Sequence, residues 1–192
     1  MQKRRHFLAT AAALVALLAA RVGDAEDVAV PVALQAELLV KVAAYDRSFP
    51  ARAGDRARVA VLHKTGSADS AHVAAQMISA LDAIPFIAGL PRDTLDVTWA
   101  GGPALAALCK SKRVAIVYVT PGFVDDVASI RAALDGVDVL TVSAMPAYVP
   151  AGVVLGFDLV SGKTKLLVHL GQAKKQNVAF KAEALKLMKV YE

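Results

Sequence analysis

A single cysteine, Cys109, is present among the 192 residues, so no intramolecular disulfide can staple the chain, whichever compartment holds it. Net charge is also low. The formal value is +5, and much of it comes from Lys3, Arg4, Arg5 and Arg21 near the N-terminus, offset there by Asp24. Cleavage after Ala25 removes four positive and one negative side chains and leaves +2, too small an excess to indicate nucleic-acid binding. The apolar run over residues 7–20 falls short of the ~20 residues needed to span hydrocarbon. Low-complexity tracts, internal repeats and long linkers are missing as well, which argues against a chain divided into several domains.

What is present is apolar material. With 56% hydrophobic and 20% charged residues, the chain has enough buryable surface for one α/β domain, and neither wholesale disorder nor a small disulfide scaffold fits. Residues 1–25 read as an export signal: basic Lys3-Arg4-Arg5, then the apolar run, then Gly23-Asp24-Ala25 with small residues where a signal peptidase inspects. Arg4-Arg5-His6-Phe7-Leu8 resembles a twin-arginine signal, and ordinary unfolded export is the alternative. Both routes lead to the periplasm of a Gram-negative cell and leave residues 26–192 as a single domain.

Within that domain helical and strand-like segments alternate. A first helix over residues 31–46 places Leu34, Leu38, Val42 and Tyr45 on one stripe. Strands are expected at residues 59–63, 94–99, 114–119 and 137–142. Helices are expected at about 67–83, 103–111 and 125–134, with Val73, Met77, Ala80, Leu81 and Ile84 on the inner face of the first of these. This rhythm implies right-handed crossovers and a mainly parallel sheet covered on both sides, with residues 114–119 at its centre. Residues 153–160 and 163–170 are separated only by Ser161-Gly162, too short for a crossover, and so form an antiparallel hairpin. Its register pairs Val160 with Lys163, Asp158 with Lys165, Phe157 with Leu166, and Leu155 with Val168. Asp158 and Lys165 then form an ion pair. A final helix over residues 180–191 packs Ala184, Leu187, Met188 and Tyr191. The fold class is therefore α/β: a three-layer sandwich with a C-terminal hairpin and a closing helix.

Motifs for chemistry are sparse. No nucleophile-elbow pentad surrounds a serine, and no phosphate-loop pattern is present. Cys109 follows Leu105 and Leu108 at helical spacing, as a core residue would, although Lys110 and Lys112 would favour a thiolate if the sulfur were exposed. His6, His63, His72 and His169 are not at metal-ligand spacing. Asp125-Asp126 opens a helix, where carboxylates complement the dipole. Neither catalytic residues nor a cofactor is indicated. The residues closest to a site are those at strand C-terminal ends, where doubly wound sheets collect ligands. Lys64-Thr65-Gly66-Ser67 joins a strand to a helix, and the rule groups His63, Thr65, Ser67, Thr120, Gly122 and Ser143 as a candidate small-molecule pocket, with ordinary turns and caps as the alternative. Pro146, Tyr148, Val149 and Pro150 form a candidate protein interface, the alternative being a connector that tucks Tyr148 and Val149 into the core.

Four stretches together resemble the YfiR/HmsC-like family of periplasmic signalling proteins. They are Leu34-Gln35-Ala36-Glu37-Leu38-Leu39-Val40-Lys41 with Tyr45-Asp46, the strand Ala115-Ile116-Val117-Tyr118-Val119-Thr120, the hairpin Gly156-Phe157-Asp158-Leu159-Val160-Ser161-Gly162-Lys163 continuing into Leu167-Val168-His169-Leu170, and Ala184-Leu185-Lys186-Leu187-Met188-Lys189-Val190. The resemblance implies a non-catalytic inhibitor that binds the sensory region of an inner-membrane diguanylate cyclase, restraining cyclic-di-GMP synthesis and biofilm formation, and it implies a homodimer. The partner class is an inner-membrane cyclase or sensor kinase. Family members in this role tend to carry paired cysteines, and with Cys109 alone intramolecular redox control does not carry over. A single-lobe solute-binding protein, with its ligand at the strand ends, is the alternative function.

Overall fold

Strands rich in valine and isoleucine, broken at intervals by helices of amphipathic pattern, have one stable outcome, a sheet covered on both faces. A computed structural model describes residues 28–192 and has this arrangement; the export signal read over residues 1–25 lies outside the described residues. In chain order the elements are α1 (Val32–Ala43), α2 (Phe49–Ala53), β1 (Ala57–His63), α3 (Ala68–Asp82), β2 (Phe86–Ile87), β3 (Leu90–Thr98), α4 (Gly102–Lys112), β4 (Ile116–Val119), α5 (Val127–Leu134), β5 (Leu140–Ser143), a 3-10 turn (Pro146–Tyr148), β6 (Leu155–Val160), β7 (Lys163–His169), α6 (Leu170–Lys175), α7 (Ala182–Leu185) and β8 (Met188–Tyr191).

The eight described strands form one sheet in the order β2-β3-β1-β4-β5-β6-β7-β8. β3, β1, β4, β5 and β6 run parallel to one another. The β6–β7 hairpin is antiparallel and pairs Leu155 with Val168, Phe157 with Leu166, Asp158 with Lys165, and Val160 with Lys163, the register read from the two-residue turn. Ser161 and Gly162 both take positive φ, as a tight hairpin turn requires. One core cluster joins α1 and α3 to one face through Val59, Val61, Ile116, Tyr118, Leu140 and Phe157. A second joins α4 and α5 to the other through Ala60, Leu62, Val117 and Val119. β4 is buried along its whole length, the central strand anticipated for residues 114–119.

Three details depart from the pattern in the sequence. The buried face of α1 is Val32, Gln35, Ala36, Leu39, Val42 and Ala43, whereas Leu34 and Tyr45 are 36% and 45% exposed. The helix turns a polar residue inward because Gln35 finds partners there: its Nε2 donates to the Val30 carbonyl at 2.8 Å and its Oε1 accepts from Tyr118 Oη at 2.8 Å. A glutamine whose amide is satisfied can be buried, and small Ala36 and Ala43 let the helix sit close to the sheet. Second, the strand expected at residues 94–99 begins earlier, at Leu90, because its first residues pair with β2 in a hairpin that turns through Ala88 and Gly89, both at positive φ.

Third, the closing helix shrinks to α7, and the last residues form β8, parallel to β7 with Leu166 opposite Met188 and Val168 opposite Val190. Helical spacing put Leu187 with Ala184 and Met188, but Leu187 is 67% exposed while Met188 is buried. An unpaired β7 leaves a row of free backbone groups, and satisfying it outweighs a weak helical preference. Asp158 stands opposite Lys165 as expected, but its Oδ1 accepts from the Leu159 amide at 2.8 Å in place of the expected ion pair. Among the described residues no helix is long and apolar enough to cross a membrane.

Candidate functional site

The carboxyl ends of β1 and β4 are neighbours in the sheet, and the chain leaves them toward helices on opposite faces, which opens the crevice where doubly wound sheets take ligands. Ser67 caps α3, its hydroxyl accepting from the Ser70 amide at 3.3 Å. Gly122 turns the chain after β4 at φ 91°, and a Cβ there would lie 3.2 Å from Ser67 Oγ. The close approach of these two loops therefore needs glycine.

Hydroxyl groups then link the strand ends in one direction. The Lys64 amide donates to Ser70 Oγ at 2.8 Å, Ser70 Oγ lies 2.6 Å from Thr120 Oγ1, and Thr120 Oγ1 donates to the Leu62 carbonyl at 2.8 Å. Since the threonine proton is committed to Leu62, Ser70 must donate to Thr120. Above them Lys64 Nζ donates to Asp126 Oδ2 at 2.7 Å and to the Gly122 carbonyl at 3.1 Å, and it sits 5.9 Å from the centre of the Phe123 ring. Phe123 meets Trp99 edge to face, and its amide donates to Tyr148 Oη at 2.8 Å. The two loops are held by one polar network with an aromatic lid.

Of the six strand-end residues singled out in the sequence, Ser67, Thr120 and Gly122 converge around Lys64. Thr65 is exposed on the turn. Ser143 is buried at the end of β5, where its hydroxyl accepts from the Met145 amide at 2.9 Å. His63 faces β3, with Nε2 at 3.1 Å from Asp96 Oδ1 and 3.2 Å from Thr98 Oγ1, along a groove of about 400 Å³ shared with α3. Asp126 caps no helix with its side chain; the carboxylate pairs with Lys64 because an ammonium is within reach and gives a charge-assisted bond.

The segment read as a protein interface is internal. Tyr148 and Val149 are 2% and 0% exposed, while Pro146 is half-buried and Ala147 and Pro150 reach solvent. Tyr148 is drawn in because its ring joins the second core cluster while its hydroxyl meets the Phe123 amide. Cys109 is a core residue as its spacing indicated. Burial pushes its thiol up to about 12, so desolvation overrides the neighbouring lysines and keeps it protonated. No group of three or more metal-ligating side chains occurs among the described residues.

One buried constellation carried no sequence signal. Asp46 and Arg52 form an ion pair out of solvent. Asp46 Oδ1 also accepts from the amides of Ser48 at 3.0 Å and Ala179 at 2.9 Å, and Arg52 donates to the Asn177 carbonyl at 3.3 Å. The Asp46–Phe180 bridge and the bond from the Lys181 amide to the Tyr45 carbonyl complete a clamp between the end of α1 and the segment before α7. Residues more than a hundred positions apart cannot announce such a contact in a single sequence.

Comparison with solved structures shows the fold in other proteins. A conserved domain protein from Vibrio cholerae O1 biovar El Tor superposes with a TM-score of 0.61 at 10% identity, covering 84% of this chain and 60% of that one. The ABC domain in complex with L-Trp from Streptococcus pneumoniae gives 0.58 at 10% identity, covering 81% of this chain and 59% of that one. The chain thus spans about 60% of the length of each. No curated protein matches the sequence. The YfiR/HmsC-like family pattern matches residues 32–189, from the first residue of α1 into β8. The matched region holds the clamp, the closed strand-end network and the hairpin alike, and the chain belongs to the YfiR/HmsC-like family.

Proposed function

We propose that this protein is a non-catalytic periplasmic regulator that binds the sensory region of an inner-membrane diguanylate cyclase and so controls cyclic-di-GMP signalling and biofilm formation. The observation that carries this reading is the family match over residues 32–189. The chemistry of the strand ends is compatible with it. Ser70 and Thr120 are committed to each other and to backbone, and Lys64 to Asp126, so the network serves to hold two loops in place. Residues 1–25 act in this proposal as the export signal and residues 26–192 as the working domain.

The test is capture from inner membranes by the tagged protein, together with cellular cyclic-di-GMP measured with and without its gene. Recovery of a cyclase through its periplasmic region, with a change in cyclic-di-GMP on deletion that re-expression reverses, is the expected result. A cyclic-di-GMP level indifferent to deletion, with no signalling protein recovered and a small molecule raising the melting temperature, would overturn it. That outcome favours a solute-binding protein with its ligand near His63, Thr65, Ser67, Thr120, Gly122 and Ser143.

A further inference from the structure

The C-terminal fifth of the chain differs in charge from the rest. From Asp158 to Glu192 it carries seven lysines, no arginine and three acidic residues, a formal +4, whereas residues 26–157 carry eleven basic and thirteen acidic residues, a formal −2. Half of the large apolar side chains left exposed among the described residues also fall here: Leu159, Val160, Leu187 and Val190. The hairpin register places Val160 opposite Lys163 and Asp158 opposite Lys165, and the β7–β8 register places Leu167 opposite Lys189. Because side chains alternate along strands, Val160, Lys163, Lys165 and Lys189 share one side of the sheet. The core cluster that α4 and α5 build on that side includes no residue of β6, β7 or β8. The opposing charge on that side is Asp158, which lies within electrostatic reach of Lys189, and Lys189 also stacks 5.0 Å over the Tyr191 ring.

We propose that this outer face of the hairpin, tipped by Val160 and carrying Lys163, Lys165 and Lys189, rests on an anionic phospholipid bilayer surface. Charge complementarity selects an acidic partner, and the composition selects lipid over protein. Protein interfaces concentrate arginine and aromatic anchors and are depleted in lysine. Here every basic residue is lysine, a point charge on a flexible stem suited to a diffuse layer of phosphates. Val160, exposed beside the turn on the same side, can enter the headgroup region next to them. Such docking confines the search for a membrane partner to two dimensions. The inference goes beyond the regulatory reading and does not depend on it, since vesicle binding and partner capture can succeed or fail separately.

Co-sedimentation of the protein, purified from the periplasm, with vesicles of phosphatidylethanolamine containing about one third phosphatidylglycerol tests this. Binding is expected to these vesicles and not to pure phosphatidylcholine, with release near ~1 M salt, where the Debye length falls to ~3 Å. Each lysine removed should cost about fivefold, so K163Q with K165Q weakens binding roughly 25-fold. K110Q with K112Q, on exposed positions of α4, leaves it unchanged, and matched melting temperatures show that both pairs are folded. Absence of sedimentation with the anionic vesicles, equal binding to phosphatidylcholine, or indifference to K163Q/K165Q overturns the proposal. Capture of an acidic protein through these lysines without vesicle binding also overturns it and assigns the face to that protein.

Discussion

β4 and β8 are both four residues long and both pair in parallel with a neighbour, yet they live in opposite environments. β4 lies between β1 and β5 with every side chain buried, whereas β8 closes the sheet with Met188 buried, Lys189 and Val190 exposed and Tyr191 intermediate. At the centre, stability comes from apolar area removed from water on two faces, and the residues record it as a continuous aliphatic run. At the edge, it comes from backbone pairing and from anchors elsewhere, which leaves side chains free to face solvent or a partner. The centre holds the fold and the edge is available for contact.

The contrast can be broken first at the clamp that ties the two regions together. Asp46→Ala removes one partner of a buried ion pair that also holds the Ala179 and Ser48 amides. It should cost about 3–5 kcal/mol in chemical denaturation, and a loss below ~1 kcal/mol would show that the C-terminal segment is held by other means. Next comes Ile116→Ala in β4, expected to cost about 2–5 kcal/mol because the site is packed on both sides. A sheet centre that tolerated this change would not be the stability-determining part of the molecule.

Gly122→Ala sharpens the comparison at the strand ends. Positive φ and the Ser67 contact at 3.2 Å together predict a loss of about 1–3 kcal/mol. Gly162→Ala, also at positive φ but with nothing within 4 Å, should lose only the conformational part, about 1–2 kcal/mol. Equal losses at the two sites would mean that loop contact contributes nothing.

A smaller effect belongs to His169, whose Nδ1 accepts from the Gln172 amide and caps α6. Burial, and then the cations Arg131 and Lys175, hold its pKa below the ordinary imidazole value. The unfolded chain therefore binds the proton more readily. The stabilising contribution is complete above the ordinary value and is lost as pH falls through the lowered one. A thermal scan across mildly acidic pH should show the decline in the wild type and a shallower one in His169→Asn, which keeps a capping side chain. The smallest expected change is Val190→Ala in β8, within ~0.5 kcal/mol in the same denaturation assay, against the large loss at Ile116. A loss near 2 kcal/mol would mean the edge carries core-like packing.

Residue by residue, what was legible follows from how local its cause is. The β6–β7 register was readable because a two-residue turn leaves one pairing, and α3 was readable because Ser67 precedes a run of helical periodicity. Cys109 was readable as core because Leu105 lies one turn before it. The direction in which α1 turns was not, since it depends on Gln35 meeting Tyr118, eighty-three positions away. Nor was the engagement of Asp126 by Lys64 in place of a cap, while the inward placement of Tyr148 was readable as one of two alternatives and the Phe123 amide helps to hold it. The strand-end group was half legible. The topology rule brought Ser67, Thr120 and Gly122 together, but which hydroxyl each would bond, and that His63 would face β3, depended on side chains from three elements.

By itself the amino-acid order determined the layered α/β class, the hairpin with its pairing, the central strand and the absence of internal cross-links, because periodicity, turn length and residue counts act over a few positions. Tertiary structure alone decided that the last residues become an edge strand, that Asp46 and Arg52 close a clamp, and which apolar and basic side chains remain on the surface. These outcomes require distant segments to compete for the same backbone partners and the same buried volume, and the winner is settled only when the whole sheet is assembled.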